Sequence, residues 1–304
     1  MNKFLLAHIA VFGANLIYGM NYTLAKGPMG PDTVYVQPRA FIFMRVVGAL
    51  ALFWLVRLLT KSKAQKIARK DYIRMAACGL FGVCLNQILF FEGLSRTSEI
   101  NSSIVMTSNP LIVLIIAAIV INERITITKI VGIVFGGIGA TLIILTSGAG
   151  NTDSSLTGDL LILLNSACYG VYLVLVKPLM KKYDPLVVIS WVFLFGSCFV
   201  IPLGIGQFSE VNWDMPPSII GSVLFVILAT TFMAYLLNIY AVSKLSTSVV
   251  SSYIYLQPVL ATVFALVISY DEKIGGLTLE KIGFAVLIFI GVYLVSKPAK
   301  KVAA

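Results

Sequence analysis

Residues 95–124 read SRTSEINSSIVMTSNPLIVLIIAAIVINER, and residues 243–273 read SKLSTSVVSSYIYLQPVLATVFALVISYDEK. Each begins on Ser-basic-x-Ser, passes a Ser-Ser pair (Ser102-Ser103, Ser251-Ser252) and reaches an amide followed by proline (Asn109-Pro110, Gln257-Pro258). Each then runs through an apolar stretch and closes on acid beside base, Asn122-Glu123-Arg124 in one and Asp271-Glu272-Lys273 in the other. Upstream, Tyr18-Gly19 and Lys26 recur as Tyr169-Gly170 and Lys177 at the same internal spacing. The chain is one apolar unit written twice.

Composition says where such a unit resides. Of 304 residues, 59% are hydrophobic and 12% charged, against roughly 25% charged in soluble domains. That is too little polar surface to cover the apolar mass, so the excess must face lipid. A net charge of +10 in a soluble protein would point to nucleic acid; here it collects in loops on one side of a bilayer. Cys78, Cys84, Cys168 and Cys198 all fall in apolar segments without paired spacing, which reads as packing rather than disulfide or metal chemistry. The stretch Lys3–Tyr18 lacks a small-residue cleavage site and takes part in the repeat, so it is read as a span.

A span needs about 20 apolar residues. Ten windows qualify: 4–25, 39–59, 74–92, 99–121, 130–148, 159–178, 185–207, 217–240, 246–270 and 281–296. The expected architecture is an all-α integral membrane protein of ten transmembrane helices, with units 1–147 and 159–304 joined by a Gly/Ser/Thr-rich linker, 148–158. With the N-terminus inside, 17 lysines and arginines fall on the inner side, including the loop Thr60–Asp71, and five on the outer side, with Arg45 within a span. Both termini are therefore expected in the cytoplasm. Five spans per unit make the second copy enter from the opposite face, an inverted repeat of the kind that exposes a central site alternately to either side.

On these residues the chain resembles the drug/metabolite transporter superfamily, in particular permeases with two EamA domains. The resemblance rests on the approach Leu94-Ser95 to Ser103 with Pro110, Glu123, Gly132 and Gly139, and on Val242-Ser243 to Ser251 with Pro258, Asp271-Glu272, Gly283 and Gly291. Arg45 in the second span fits as well. The second copy departs in its longer acidic loop and its glycine spacing. The resemblance implies secondary-active, proton-coupled export or exchange of small metabolites or amino-acid-like compounds across the inner membrane by alternating access, without a cofactor. Its implied partners are a small molecule and the bilayer, not nucleic acid, with the protein acting as monomer or homodimer. A multidrug efflux permease and a non-transporting membrane sensor or scaffold stand as alternatives.

The costliest residue to place is Arg45, since a charge at mid-span costs at least ~2.5 kcal/mol on insertion scales. It reads either as a clamp for a carboxylate or phosphate or as a structural pair with helix-end carbonyls or Glu92. Glu92, at the end of the third span, is the coupling candidate, with a solvated helix end as its bland reading. The remaining candidates for a binding cavity are polar residues in mid-span: Tyr18 and Asn21, Asn86 and Gln87, Asn165, Tyr169 and Tyr172, Asn238, Tyr253 and Gln257. Any one of these serves equally as interhelical glue. Pro110 and Pro258 are expected to kink their helices or act as hinges. Trp54, Trp191 and Trp213 read as interface anchors.

An enzyme is not expected. The single histidine, His8, has no partner motif, and no zinc pair, nucleophile elbow or phosphate loop occurs.

Overall fold

The computed structural model describes residues 3–24, 28, 34–60, 65–94, 96, 105–146, 156–257, 259–260, 263–264 and 279–297. Among them all regular structure is helical: α1 (Lys3–Leu24), α2 (Pro38–Leu59), α3 (Arg69–Gly79), α4 (Asn86–Leu94), α5 (Asn109–Ile121), α6 (Ile127–Thr146), α7 (Leu156–Leu179), α8 (Pro185–Phe208), α9 (Pro217–Phe225), α10 (Ala234–Lys244), α11 (Thr247–Ser252) and α12 (Leu279–Ser296). Two π segments, Leu80–Leu85 and Val226–Met233, splice α3 to α4 and α9 to α10, and a 3-10 turn, Tyr253–Tyr255, follows α11.

Six of the resulting rods are long and apolar enough to cross a bilayer: Lys3–Asn21, Pro38–Leu59, Arg69–Gly93, Leu156–Leu179, Pro185–Phe208 and Pro217–Lys244. Asn109–Ile121, Ile127–Leu142 and Ile282–Ser296 are shorter apolar helices. Parts of the fourth and ninth windows lie outside the described residues, as do Pro258 and most of the linker.

Local chemistry sets the helix ends. Proline opens α2, α8 and α9, where its missing N–H is not needed. The Asp184 carboxylate caps α8 by accepting from Leu186 N, and the Ser246 hydroxyl caps α11 by accepting from Val249 N. Asn122 ends α5 at a φ of 52°, a left-handed turn that asparagine tolerates. That turn redirects the chain so that Glu123 faces α11.

Pro110 corrects the sequence reading. It occupies the first turn of α5 rather than the middle of a longer helix, just after a turn at Thr107–Ser108. The chain is broken there, and proline heads the new helix. The ninth span is interrupted at the corresponding place, where the 3-10 turn precedes Gln257.

Around an apolar core, large apolar side chains also cover the outside while several polar ones are buried. Leu55, Ile73, Ile119, Leu164, Leu203 and Ile290 point outward, while Asn15, Arg45, Gln87, Asn109, Asn165 and Asn238 are buried. Hydrocarbon outside makes apolar exposure harmless and forces polar groups to find partners inside.

The packing is reciprocal. α2 lies on α8, α6 on α12, α1 on α10 and α4 on α7; α8 meets the first π segment, and α2 meets the second. Exchanging the two halves maps this set of contacts onto itself. α6 and α12 approach backbone to backbone. A Cβ on Gly132 would stand 2.6 Å from Gly291 O, and one on Gly291 would stand 2.6 Å from Gly132 O. Backbone blocks both, so no side chain can rotate out of the way. Gly291→Val should therefore lower stability by about 1–3 kcal/mol, the usual range for overpacking. A melting curve of the detergent-solubilised variant checks this, and an unchanged midpoint would contradict the close approach.

Candidate functional site

The two π segments build the centre of the molecule. Such i→i+5 turns inside α-helices are rare and frequent at functional sites. In the first segment Asn86 N reaches back to Phe81 O, and in the second Ala234 N reaches back to Ala229 O. Gly82 O of the first then accepts a 3.2 Å bond from the Tyr235 hydroxyl, which itself accepts from Gln87 Nε2 at 3.3 Å. Val226 O of the second accepts the Thr231 hydroxyl at 2.7 Å.

Arg45 projects into this centre from α2 and is only 7% exposed. Its Nε donates to Thr231 Oγ1 at 3.1 Å, and its guanidinium carbon lies 5.9 Å from the ring centroids of both Phe41 and Phe91. Neither helix-end carbonyls nor Glu92 hold it among the described contacts. Tyr18 and Tyr235 lie within electrostatic reach of Arg45, and Tyr169 and Tyr172 extend the group, with ring centroids 6.2 Å apart. Asn238 Nδ2 donates to the Tyr169 hydroxyl at 2.8 Å.

The structure thus brings together Arg45, Tyr18, Gln87, Tyr169, Tyr172 and Asn238. It places the others elsewhere. Asn86 and Asn165 form a reciprocal joint between α4 and α7, each side-chain amide donating to the other's carbonyl at 3.4 and 2.5 Å. Gln257 Nε2 donates to Asn15 Oδ1 at 2.8 Å, tying the ninth span to the first. Tyr253 shares a 2.8 Å hydrogen bond with His8 at the molecular surface. Glu92 sits between Arg39 and Arg96 at 3.0 and 3.1 Å, with a half-exposed arginine on either side. Thr231 went unread in the sequence; its only signal was the Thr230-Thr231 pair in an apolar run.

Several buried polar atoms have no partner among the described residues: Asn21 Oδ1, Asn109 Oδ1, Ser166 Oγ, Thr230 Oγ1 and Asn238 Oδ1. Buried and unpaired, each carries a desolvation penalty of about 1–3 kcal/mol. A ligand donating to them would relieve it.

A second polar cluster closes one end. Glu123 receives the Thr247 hydroxyl at 2.5 Å and the Ser248 hydroxyl, both from the first turn of α11, and the Lys129 ammonium at 2.8 Å. A carboxylate at a helix N-terminus is favoured by the helix dipole. Lys177 complements it by donating to Val242 O at 2.5 Å and to Leu245 O, the C-terminal carbonyls of α10. The corner between α10 and α11 is held by an anion on one side and a cation on the other.

Burial would raise the Glu123 carboxyl, but the hydrogen bonds from Lys129, Ser248 and Thr247 outweigh it and hold the group below its ordinary 4.5. A depressed carboxyl stabilises the fold above its unfolded value and loses that contribution as pH falls through its folded value. Glu123→Gln should lower stability near neutral pH by roughly 3–5 kcal/mol, because it strands the buried Lys129 ammonium. Below about pH 4.5 the melting temperatures of the two proteins should converge, since protonation removes in the parent what the substitution removed. Parallel curves down to low pH would contradict this role.

Comparison with known proteins fits these features. The profile described as the EamA-like transporter family matches twice, over residues 5–145 and 156–297. The uncharacterized transporter YyaM of Bacillus subtilis is 27% identical over 298 residues, covering 97% of this chain and 94% of the relative. WAT1-related protein At3g53210 of Arabidopsis thaliana is 26% identical, covering 95% and 84%. A protein of Streptantibioticus cattleyicolor named as a probable terminal-alkyne amino-acid exporter is 26% identical over 65% of each chain. A solved crystal structure shares the fold at a TM-score of 0.75 and 18% identity, covering 95% of this chain and 96% of its own.

Proposed function

The chain belongs to the EamA-like transporter family, and from that premise we propose that it is a secondary-active permease moving small polar metabolites of the amino-acid-like class by alternating access. The observation that carries this reading is the buried Arg45, bonded to Thr231 of a π segment, with Tyr18 and Tyr235 within electrostatic reach and Asn238 on the neighbouring Tyr169. A carboxylate on the cargo would take the guanidinium, while a donor on it would satisfy Asn109 or Asn238. The amino-acid exporter among the relatives is in keeping with that pairing. No ATP motif occurs in the sequence, so the driving force is an ion or solute gradient; a proton gradient is the one proposed here.

In this proposal the units 1–147 and 159–304 are inverted five-span repeats, linked by 148–158, with both termini cytoplasmic in the inner membrane. The two halves rock about the Gln87–Tyr235 contact. Glu123 latches the face that carries its loop through Thr247 and Ser248 of the other half, and the other face is tied by the Arg39 backbone N–H donating to Gln207 Oε1. Pinned by two arginines of its own half, Glu92 is poorly suited as a direct proton carrier, so its coupling role would be indirect. A cysteine placed in the Thr60–Asp71 loop should resist a membrane-impermeant thiol reagent in intact cells, and ready labelling would overturn the topology.

The transport claim is tested in liposomes containing only the purified protein, loaded with labelled amino acids and challenged with a pH gradient. Flux above protein-free vesicles is expected. Arg45→Lys keeps the charge but loses the planar fork and should weaken cargo affinity; Arg45→Gln should weaken it further, by roughly 1.5–3 kcal/mol. If both variants carry cargo with unchanged affinity, Arg45 is a structural pair and the clamp is wrong. No flux of any amino-acid-like solute would favour the multidrug or sensor reading.

A further inference from the structure

Away from the centre, three N–H donors have no partner among the described residues and sit on side chains that touch one another. They are Trp54 Nε1 and Arg57 Nη1 on α2, one turn apart, and Trp191 Nε1 on α8. The Arg57 guanidinium carbon lies 4.8 Å from the Trp54 ring centroid and 6.0 Å from that of Trp191; the two indoles meet edge-on at 5.5 Å. Tyr72 of α3 closes the group, its ring 4.9 Å from Trp191. All four residues lie within about two turns of the ends of their rods.

An isolated tryptophan at such a level is an ordinary interface anchor whose N–H meets water or lipid carbonyls. This cluster is different. Its three donor atoms are shielded, and the cation is stacked between rings rather than snorkelling. Nearby acids do not serve it: Asp71 is taken by Lys182 and Tyr183, and Asp184 caps α8. What the cluster lacks is one anionic acceptor with several lone pairs. The surroundings attract such a group, since Lys66, Arg69 and Lys70 are exposed beside it and the adjoining sequence adds Lys61 and Lys63. A basic pocket between helices at the membrane surface is a site for lipid headgroups.

We propose that the Trp54–Arg57–Tyr72–Trp191 cluster is a binding site for the phosphate of an anionic phospholipid, which inserts between α2, α3 and α8 as the side chains part. The guanidinium would take the phosphate oxygens by charge-assisted hydrogen bonds, and the indole N–H groups would fix the headgroup from either side. The site is independent of the transport reading. It ties α2 to α8, so lipid there would brace the pair.

The test is native mass spectrometry of the detergent-solubilised protein titrated with phosphatidylglycerol or phosphatidylcholine, with melting temperature read in parallel. The unaltered protein should retain phosphatidylglycerol preferentially and be stabilised by it. Trp54→Phe and Trp191→Phe, which keep the ring and remove one donor, should each weaken retention about fivefold. Arg57→Gln should weaken it about tenfold or more. Equal retention of the two lipids by the unaltered protein would overturn the proposal without reference to any variant. Equal phosphatidylglycerol affinity in all three folded variants would place the bound lipid elsewhere. Stabilisation by inorganic phosphate alone, matching that of the lipid, would overturn the assignment to a lipid.

Discussion

A guanidinium enclosed by hydrocarbon has to be held by something, and much of the interior follows from how Arg45 is held. Its partner is a threonine hydroxyl, not a carboxylate. That hydroxyl is positioned by the Val226 carbonyl of the second π segment. The other half repeats the arrangement, where Gly82 O of the first π segment accepts the Tyr235 hydroxyl. The polar interior is assembled on these two irregular segments at corresponding places.

Lipid outside imposes the rest. Without a hydrophobic force between helices, association rests on close packing and internal polar contacts. The structure uses both. Gly132 and Gly291 let the α6 and α12 backbones touch, and Asn86–Asn165 and Gln257–Asn15 cross between helices by hydrogen bonds. The polar interior is incompletely satisfied, however. Orphan atoms on Asn109, Asn238, Ser166 and Thr230 lie where a fully braced core would have paired them. A packed interface would lose stability for no return by keeping them; an interface that accepts a cargo would not.

Much of this was legible in the sequence. The doubled Ser-basic-x-Ser to acidic-basic stretch announced the duplication, and the isolated Arg45 announced a buried charge. Its partner was not legible, because a π turn leaves no periodicity that distinguishes it from an α-helix, and Thr230-Thr231 reads as unremarkable in a span. Pro110 was misread for a related reason: an apolar run conceals the turn at Thr107–Ser108 that makes proline an initiator. Glu123 stood in the sequence as an acid beside a base at a helix end, and spacing cannot show that the left-handed Asn122 turns it back onto α11. Tyr253 shared the polar mid-span pattern of the central tyrosines yet faces His8 at the surface, because helix rotation is fixed by packing rather than by composition.

The two polar clusters have different characters. At the centre, uncharged groups surround one cation; at the α10–α11 corner, charges of both signs clamp helix ends. The first is suited to holding a cargo and the second to fastening the halves while it is held. That division predicts that the corner opens as a unit. The most direct measurement is the distance between spin labels at positions 124 and 244, introduced as cysteines in a background without the native four, in liposomes. Two separations are expected, with Glu123→Gln shifting the population toward the longer. A single separation, unchanged by that substitution, would show the Glu123 contact to be a static brace and contradict the account.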